Sequence, residues 1–137
     1  RSGDGLLLFY IDLDDMKAIN DSFGHLEGDR ALKEVAAILR ATFRESDIIA
    51  RIGGDEFAVL GAGADSADSA TERLEAALSI RNRRKRRYRL SLSYGSVCYD
   101  PSHARPLTEL LSEADLLMYQ HKHRRRKTAS APLGKSG

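Results

Sequence analysis

The chain of 137 residues has a single cysteine, Cys98, which excludes an internal disulfide and a zinc centre built on cysteines. In its strand-like run, Cys98 reads as a small apolar filler, and a reducing cytosol suits a chain of this kind. Long hydrophobic stretches are also missing. The longest uninterrupted apolar run, Leu6 to Ile11, is far short of the roughly 20 residues that a membrane helix requires, and no signal-peptide pattern is present. The expectation is a cytoplasmic domain without membrane contact of its own. The abrupt start in front of a buried-type strand leaves room for a membrane sensor ahead of it in a longer natural chain. Nor is one sign of charge in excess. The 22 Lys and Arg against 20 Asp and Glu leave a net charge of +2, so no global field draws the protein to nucleic acid or membrane, and neither is expected as a partner. No internal repeat is visible.

What is present fits one compact domain with a hydrophobic core, since 42% of the residues are hydrophobic and the length is near the commonest domain size. The run LLLFYIDL, Leu6 to Leu13, is apolar on both alternating faces, which predicts a central strand covered on both sides. From Gly28, the positions Leu32, Val35, Ala36, Leu39 and Phe43 recur at helical steps, with Arg30, Lys33, Glu34 and Arg40 facing away. DIIAR and EFAVL are short β-type runs, and Gly53-Gly54 between them is expected to supply the positive φ of a tight hairpin. A loop from Gly61 to Ser66 leads to a helix through Ala70, Leu74, Ala77 and Leu78. YRLSLSYGSVCY then alternates like a strand. Pro106 opens a last helix with Leu107, Leu110, Leu111, Ala114, Leu117 and Met118 on one stripe. The order strand, helix, hairpin, helix, strand, helix predicts an α+β domain, a sheet with helices packed on it.

Asp12 ends the apolar strand, and Asp55 and Glu56 follow the glycines of a hairpin that would lie beside it. Like charges brought together need a cation, and carboxylates without His or Cys favour Mg²⁺. Taken one at a time, each acidic pair also reads as a helix cap or a turn decoration. The spacing excludes an EF-hand, because position six of a loop starting at Asp12 is Lys17 and position twelve is Phe23. Gly53 and Gly54 fit turn chemistry and also close approach of backbone to a phosphate. Lys122 and Arg126, four apart in YQHKHRRRK, share one helical face and suit either a polyphosphate or a solvated helix end.

Together, RIGGDEFAVL, YIDLDDMKAINDSFGHLEGDRALKEVA and ADLLMYQHK closely resemble the GGDEF family of diguanylate cyclases, from about Leu6 to Lys127. The resemblance implies a mostly antiparallel sheet flanked by helices, like nucleotide cyclases and polymerase palms. It also implies condensation of two GTP into cyclic di-GMP and two pyrophosphates, with Mg²⁺ or Mn²⁺, in a homodimer that joins two half-sites. Asp12, Asp55 and the carbonyl of Leu13 match the metal ligands. Asn20 and Asp29 match the guanine readers, Gly54 the point where bare backbone admits the nucleotide, and Lys122 and Arg126 the phosphate-binding cations, with the amides around Asp14 to Met16 at the terminal phosphates. Glu56 matches the catalytic acid, either a proton acceptor for the 3′-hydroxyl or a ligand of a second metal. RESD, Arg44 to Asp47, matches the motif by which the product inhibits the family, with Arg73 as a second contact. A non-catalytic module that binds GTP or cyclic di-GMP and regulates a neighbouring domain, such as an EAL phosphodiesterase, is the alternative.

The chain departs from the pattern in three places. The initial helix and a DxLTGLxNR-like segment are not in it, His121 and Arg125 stand where the family has a small residue and a glycine, and no final strand is recognisable after Lys127. The domain is expected over 1–127, with 128–137 a disordered tail. The basic run RNRRKRRYR, Arg81 to Arg89, reads as a solvated helix-to-strand loop first and as a partner-binding segment second.

Overall fold

The run LLLFYIDL forms strand β1 (Leu6–Leu13), in which only Leu6 and Tyr10 escape full burial. The computed structural model describes residues 5–62, 67–84 and 87–129, and the side chains of Ala62 and of 126–129 lie outside the described set. β1 occupies the middle of a sheet of four strands ordered β2-β3-β1-β4, with β2 (Ile48–Arg51), β3 (Glu56–Ala62) and β4 (Leu92–Tyr99), every pairing antiparallel. Its alternation then sorts the side chains. Leu7, Phe9, Ile11 and Leu13 join the main core with Leu32, Val35 and Leu39 of helix α2 (His25–Thr42) and Leu74 and Leu78 of helix α3 (Ala67–Arg83). Leu8 faces the other way, toward Val97 and toward Leu110 and Ala114 of helix α4 (Leu107–Ala129). No helix among the described residues is long and apolar enough to cross a membrane.

Between β1 and the hairpin the chain makes two helices where the periodicity predicts one. α1 (Met16–Phe23) precedes α2, and Gly24, with φ of 94°, separates them. Its N–H closes the last turn of α1 on the Asn20 carbonyl while its own carbonyl accepts from Glu27 and Gly28. α1 buries only Ile19 fully, and a helix of eight residues with one fully buried side chain leaves little periodic signal. Gly28 sits inside α2 for a packing reason, since a Cβ there would lie 1.9 Å from Asn20 Oδ1.

The β2–β3 hairpin forms in the register Ile48↔Leu60 to Arg51↔Phe57, but without the left-handed glycines expected of it. Among the described residues, Gly24 is the only glycine with positive φ. The turn is held instead by Arg51, whose Nε donates to the Gly53 carbonyl at 3.2 Å and whose Nη2 donates to that of Gly54 at 2.7 Å. Gly95 of β4 explains how α4 lies so close to the sheet. A Cβ there would be 2.4 Å from the Ala114 carbonyl and 2.5 Å from the Met118 amide nitrogen.

Two further expectations are corrected. Cys98 is exposed rather than a filler, because it stands near the end of β4, an edge strand among the described residues. Arg81 does not belong to a solvated loop. It is in the last turn of α3, 7% exposed, and its guanidinium makes a forked pair with Glu34 at 2.9 and 3.1 Å. Along α4, Leu110, Ala114 and Met118 are buried, whereas Leu107 and Leu117 are exposed. The predicted tail lies outside the described residues from 130 onward, and 63–66 and 85–86 of the two predicted loops do as well.

Candidate active site

The register of the sheet brings the acidic residues together. Asp12 is the cross-strand partner of Glu56, and the Leu13 amide donates to the Asp55 carbonyl at 3.0 Å. One carboxylate oxygen from each of Asp12, Asp55 and Glu56 falls within 4.8 Å of the others. Asp12 is 5% exposed. Burial pushes its carboxyl up to about 6, although the Lys122 ammonium beside it acts in the opposite direction and Asp55 adds to the rise. Lys122 reaches Asp12 Oδ2 from α4 and lies 3.9 Å from Asp14. Asp12 Oδ1 is buried without a hydrogen-bond partner among the described residues. An orphaned carboxylate oxygen in an all-oxygen acidic cluster fits a hard divalent cation, which would relieve both the desolvation and the mutual repulsion.

Glu56 is not loose in this cluster. Tyr10, two residues before Asp12 on the central strand, donates its hydroxyl to Glu56 Oε1 at 3.1 Å, and burial with that bond raises the phenol to about 12. Asp14 forms a second centre just past the strand. Ser91 and Ser93 each donate to its carboxylate at 2.7 Å, and its amide donates to the Ser91 carbonyl at 2.8 Å. The end of β1 is thereby fastened to β4. Tyr10, Arg51 and the side chain of Asp14 are absent from the sequence-based site, which takes only the backbone amide of Asp14. Asp14 stands in the DLDD motif, but its serine partners are 77 and 79 residues away.

Asn20 projects from α1 against Gly28 of α2, and its Oδ1 is buried with no partner among the described residues. Asp29, the next residue after Gly28, is exposed at the rim of a groove of about 450 Å³ that Leu32, Arg40, Arg51 and Phe57 also line. A Cβ on Gly54 would meet nothing within 4 Å, so the backbone there faces open space. Arg126 lies in α4, but its side chain is outside the described residues.

Arg44, Asp47 and Arg73 occupy a different place, at the α2–β2 connection. The Asp47 carboxylate accepts from the Arg44 amide at 2.8 Å, and the Asp47 amide donates to the Arg44 carbonyl at 2.9 Å. Arg73 on α3 donates from Nε to the Thr42 carbonyl at 3.3 Å and from Nη1 to Ser69. Gly61 leaves room for this turn, since a Cβ there would lie 2.7 Å from Asp47 Oδ1.

The sequence model of the family described as "Diguanylate cyclase, GGDEF domain" matches residues 1–128. The diguanylate cyclase TpbB of Pseudomonas aeruginosa is 39% identical over 128 residues, which are 88% of this chain and 29% of that protein. A solved structure comprising only its GGDEF domain superimposes with a TM-score of 0.77 at 40% identity, over 88% of this chain and 73% of that one. The cyclic di-GMP phosphodiesterase NbdA of the same species is 37% identical over 129 residues, 88% of this chain and 16% of NbdA. A microbial GGDEF domain whose interaction with cyclic di-GMP has been solved gives a TM-score of 0.74 at 37% identity, over 90% of this chain and 76% of that one. The chain thus spans less than a third of the length of either relative. The sheet with a buried Asp12 beside the GGDEF turn, the family match over nearly the whole length and these relatives together establish that the chain belongs to the GGDEF domain family.

Proposed function

We propose that this chain is the catalytic domain of a diguanylate cyclase, extending over 1–127, which condenses two GTP into cyclic di-GMP and two pyrophosphates as a homodimer. The observation that carries the reading is the cluster of Asp12, Asp55 and Glu56, with its orphaned Asp12 oxygen, set directly against the open backbone of Gly54. Asp12, Asp55 and the Leu13 carbonyl would hold Mg²⁺ or Mn²⁺. When bound, the cation supplies positive charge opposite the α-phosphate and the leaving pyrophosphate.

The chain's own residues do the rest. Asn20 and Asp29 read guanine, because a carboxylate accepts from the guanine N1–H and N2 amino groups and the amide both donates and accepts. Gly28 sets the depth of Asn20 by giving its Oδ1 space. Lys122, with Arg126, neutralises phosphate oxygens, so the ammonium now on Asp12 would turn toward the nucleotide. The amides of Asp14 to Met16 meet the terminal phosphates. Tyr10 fixes the Glu56 carboxylate through its hydroxyl, and Glu56 accepts the proton of the 3′-hydroxyl or joins a second metal. The 3′-oxygen of one GTP forms a bond to the α-phosphorus of the other as the bond to pyrophosphate breaks. Each domain holds one nucleotide, so encounter of two domains controls the rate.

Arg44, Asp47 and Arg73 would bind cyclic di-GMP in product inhibition, supported by the Asp47 and Arg73 bonds that pin the α2–β2 turn. Other domains in the full-length protein and a cytoplasmic setting belong to the same reading. The resemblance to NbdA supports a second one, a non-catalytic module that binds nucleotide and regulates an adjoining phosphodiesterase. Cyclic di-GMP production from GTP and Mg²⁺ across protein concentration separates them. Turnover rising faster than linearly and vanishing in Glu56→Gln is the expected result. Binding of GTP without product at any concentration would favour the regulatory module.

A further inference from the structure

A second basic feature lies away from the acidic cluster. Asn82, at the end of α3, pairs twice with the Leu90 backbone, its Nδ2 donating to the carbonyl and its Oδ1 accepting from the amide, both at 2.8 Å. This clamp closes the neck of the α3–β4 connection and brings Arg83 and Arg89, the residues just inside it, to one side. Both line a cavity of about 230 Å³ whose other wall includes Arg125 of α4, with Ser79, Ser91 and Glu75 completing it. The side chains of Arg83 and Arg89 have no hydrogen-bond or ion-pair partner among the described residues.

Arg125 is only loosely engaged. Its guanidinium is 3.6 Å from Asp14 and 3.8 Å from Glu75, beyond hydrogen-bond length. Its third neighbour does not satisfy it. His121 Nδ1 accepts the Tyr94 amide at 2.9 Å, which leaves the proton of the neutral ring on Nε2, and two donors 3.3 Å apart offer each other no acceptor. Glu75, the one acid of the lining, already receives the Tyr94 hydroxyl. Three guanidiniums with unspent donors therefore face a concave space that contains one committed carboxylate. Planar forks of this kind suit tetrahedral oxyanions that accept several charge-assisted bonds at once.

We infer that the seam between α3, β4 and α4 is a binding site for a phosphate dianion, free or as a phosphomonoester, held by Arg83, Arg89 and Arg125. Its lining residues are not those of the proposed nucleotide site, and the two adjoin at Asp14, which lies 3.9 Å from Lys122 and 3.6 Å from Arg125. Its chemistry does not depend on the cyclase reading. An occupant would compete with Asp14 for Arg125 and so reach the end of β1.

The test is a ¹H–¹⁵N NMR titration of the 137-residue chain without divalent metal. One arm uses inorganic phosphate and the other 5′-GMP, with Arg83→Gln/Arg89→Gln as the variant. Saturable shifts at the Ser79, Asn82 and Ser91 amides, weakened at least tenfold in the variant, are expected. Shifts with phosphate identify the free anion as sufficient, and shifts with 5′-GMP alone identify the ester. Shifts confined to Asp14–Met16, shifts that do not saturate, or saturation unchanged in the variant would overturn the inference. Unchanged thermal stability of the variant keeps a lost signal from being read as unfolding.

Discussion

Replacing Arg81 by methionine tests whether a buried ion pair, rather than a solvated basic loop, joins α3 to α2. The guanidinium is 7% exposed, pairs with both oxygens of Glu34, donates to the Tyr88 carbonyl at 2.7 Å and lies 5.1 Å from the Tyr88 ring centroid. Removing one partner of a fully buried pair typically destabilises by about 3–5 kcal/mol. Glu34 keeps 24% of its side-chain surface exposed and can rehydrate, which lowers that figure, while the orphaned Tyr88 carbonyl raises it by about 1 kcal/mol. A net loss of about 3 kcal/mol is the expectation. With an unfolding entropy of about 2.1 cal/mol/K per residue, a chain of 137 residues loses about 3.5 °C of Tm for each kcal/mol, so Arg81→Met should melt about 10 °C lower. Arg81→Lys keeps the charge but not the fork and should fall between. Differential scanning calorimetry of wild type, both variants and Glu34→Met/Arg81→Met gives the coupling directly. A shift under about 3 °C for Arg81→Met would refute the argument and return the residue to the solvent.

Three other outcomes are expected. Gly28→Ala reverses the usual benefit of alanine in a helix, about 1 kcal/mol, because its Cβ would strike Asn20 Oδ1. Chemical denaturation should show a loss of about 1–3 kcal/mol, recovered when Asn20→Ala is added, and no recovery would mean that the clash is not the cause. Tyr10→Phe removes the hydroxyl bond to Glu56, and under the cyclase reading kcat should fall about fivefold, the equivalent of about 1 kcal/mol, with KM for GTP little changed. An equal rise in KM would place Tyr10 in binding instead. Burial, with Arg125 and Arg124 adding, holds the His121 imidazole below its ordinary range. The unfolded chain therefore binds the proton first, so this contribution is present above about pH 6.5 and is lost as the pH falls through the folded value. Melting curves from pH 7.5 to pH 5 should drop more steeply for wild type than for His121→Gln, and parallel curves would contradict the assignment.

Much of this architecture is legible from local pattern. β1 announces itself because seven apolar residues crowd into eight positions around Asp12, and the carboxylates of the site are legible because short motifs place them at the ends of adjacent strands. The losses have a common cause in distance. Arg81 pairs with a residue 47 positions away, and nothing in RNRRKRRYR distinguishes Arg81, which turns inward, from the exposed Arg83, Arg84, Arg87 and Arg89. The Gly53-Gly54 turn misleads for the opposite reason. Two glycines suggest positive φ by habit, whereas the side chain of Arg51 holds the turn. α1 escapes periodic reading because it is short and buries one residue fully.

The contact of Gly95 with the backbone of α4 has a consequence for how the site tolerates change. Where side chains separate a helix from a sheet, a substitution at any of them can nudge the helix. At Gly95 no side chain intervenes, and a Cβ there would meet the α4 backbone at Ala114 and Met118 together with the Leu117 Cβ. Lys122 rides the same helix eight residues beyond Ala114, roughly 12 Å along its axis. The position of the Lys122 ammonium opposite Asp12 therefore depends on the absence of a side chain on β4 as well as on the packing of α4 itself.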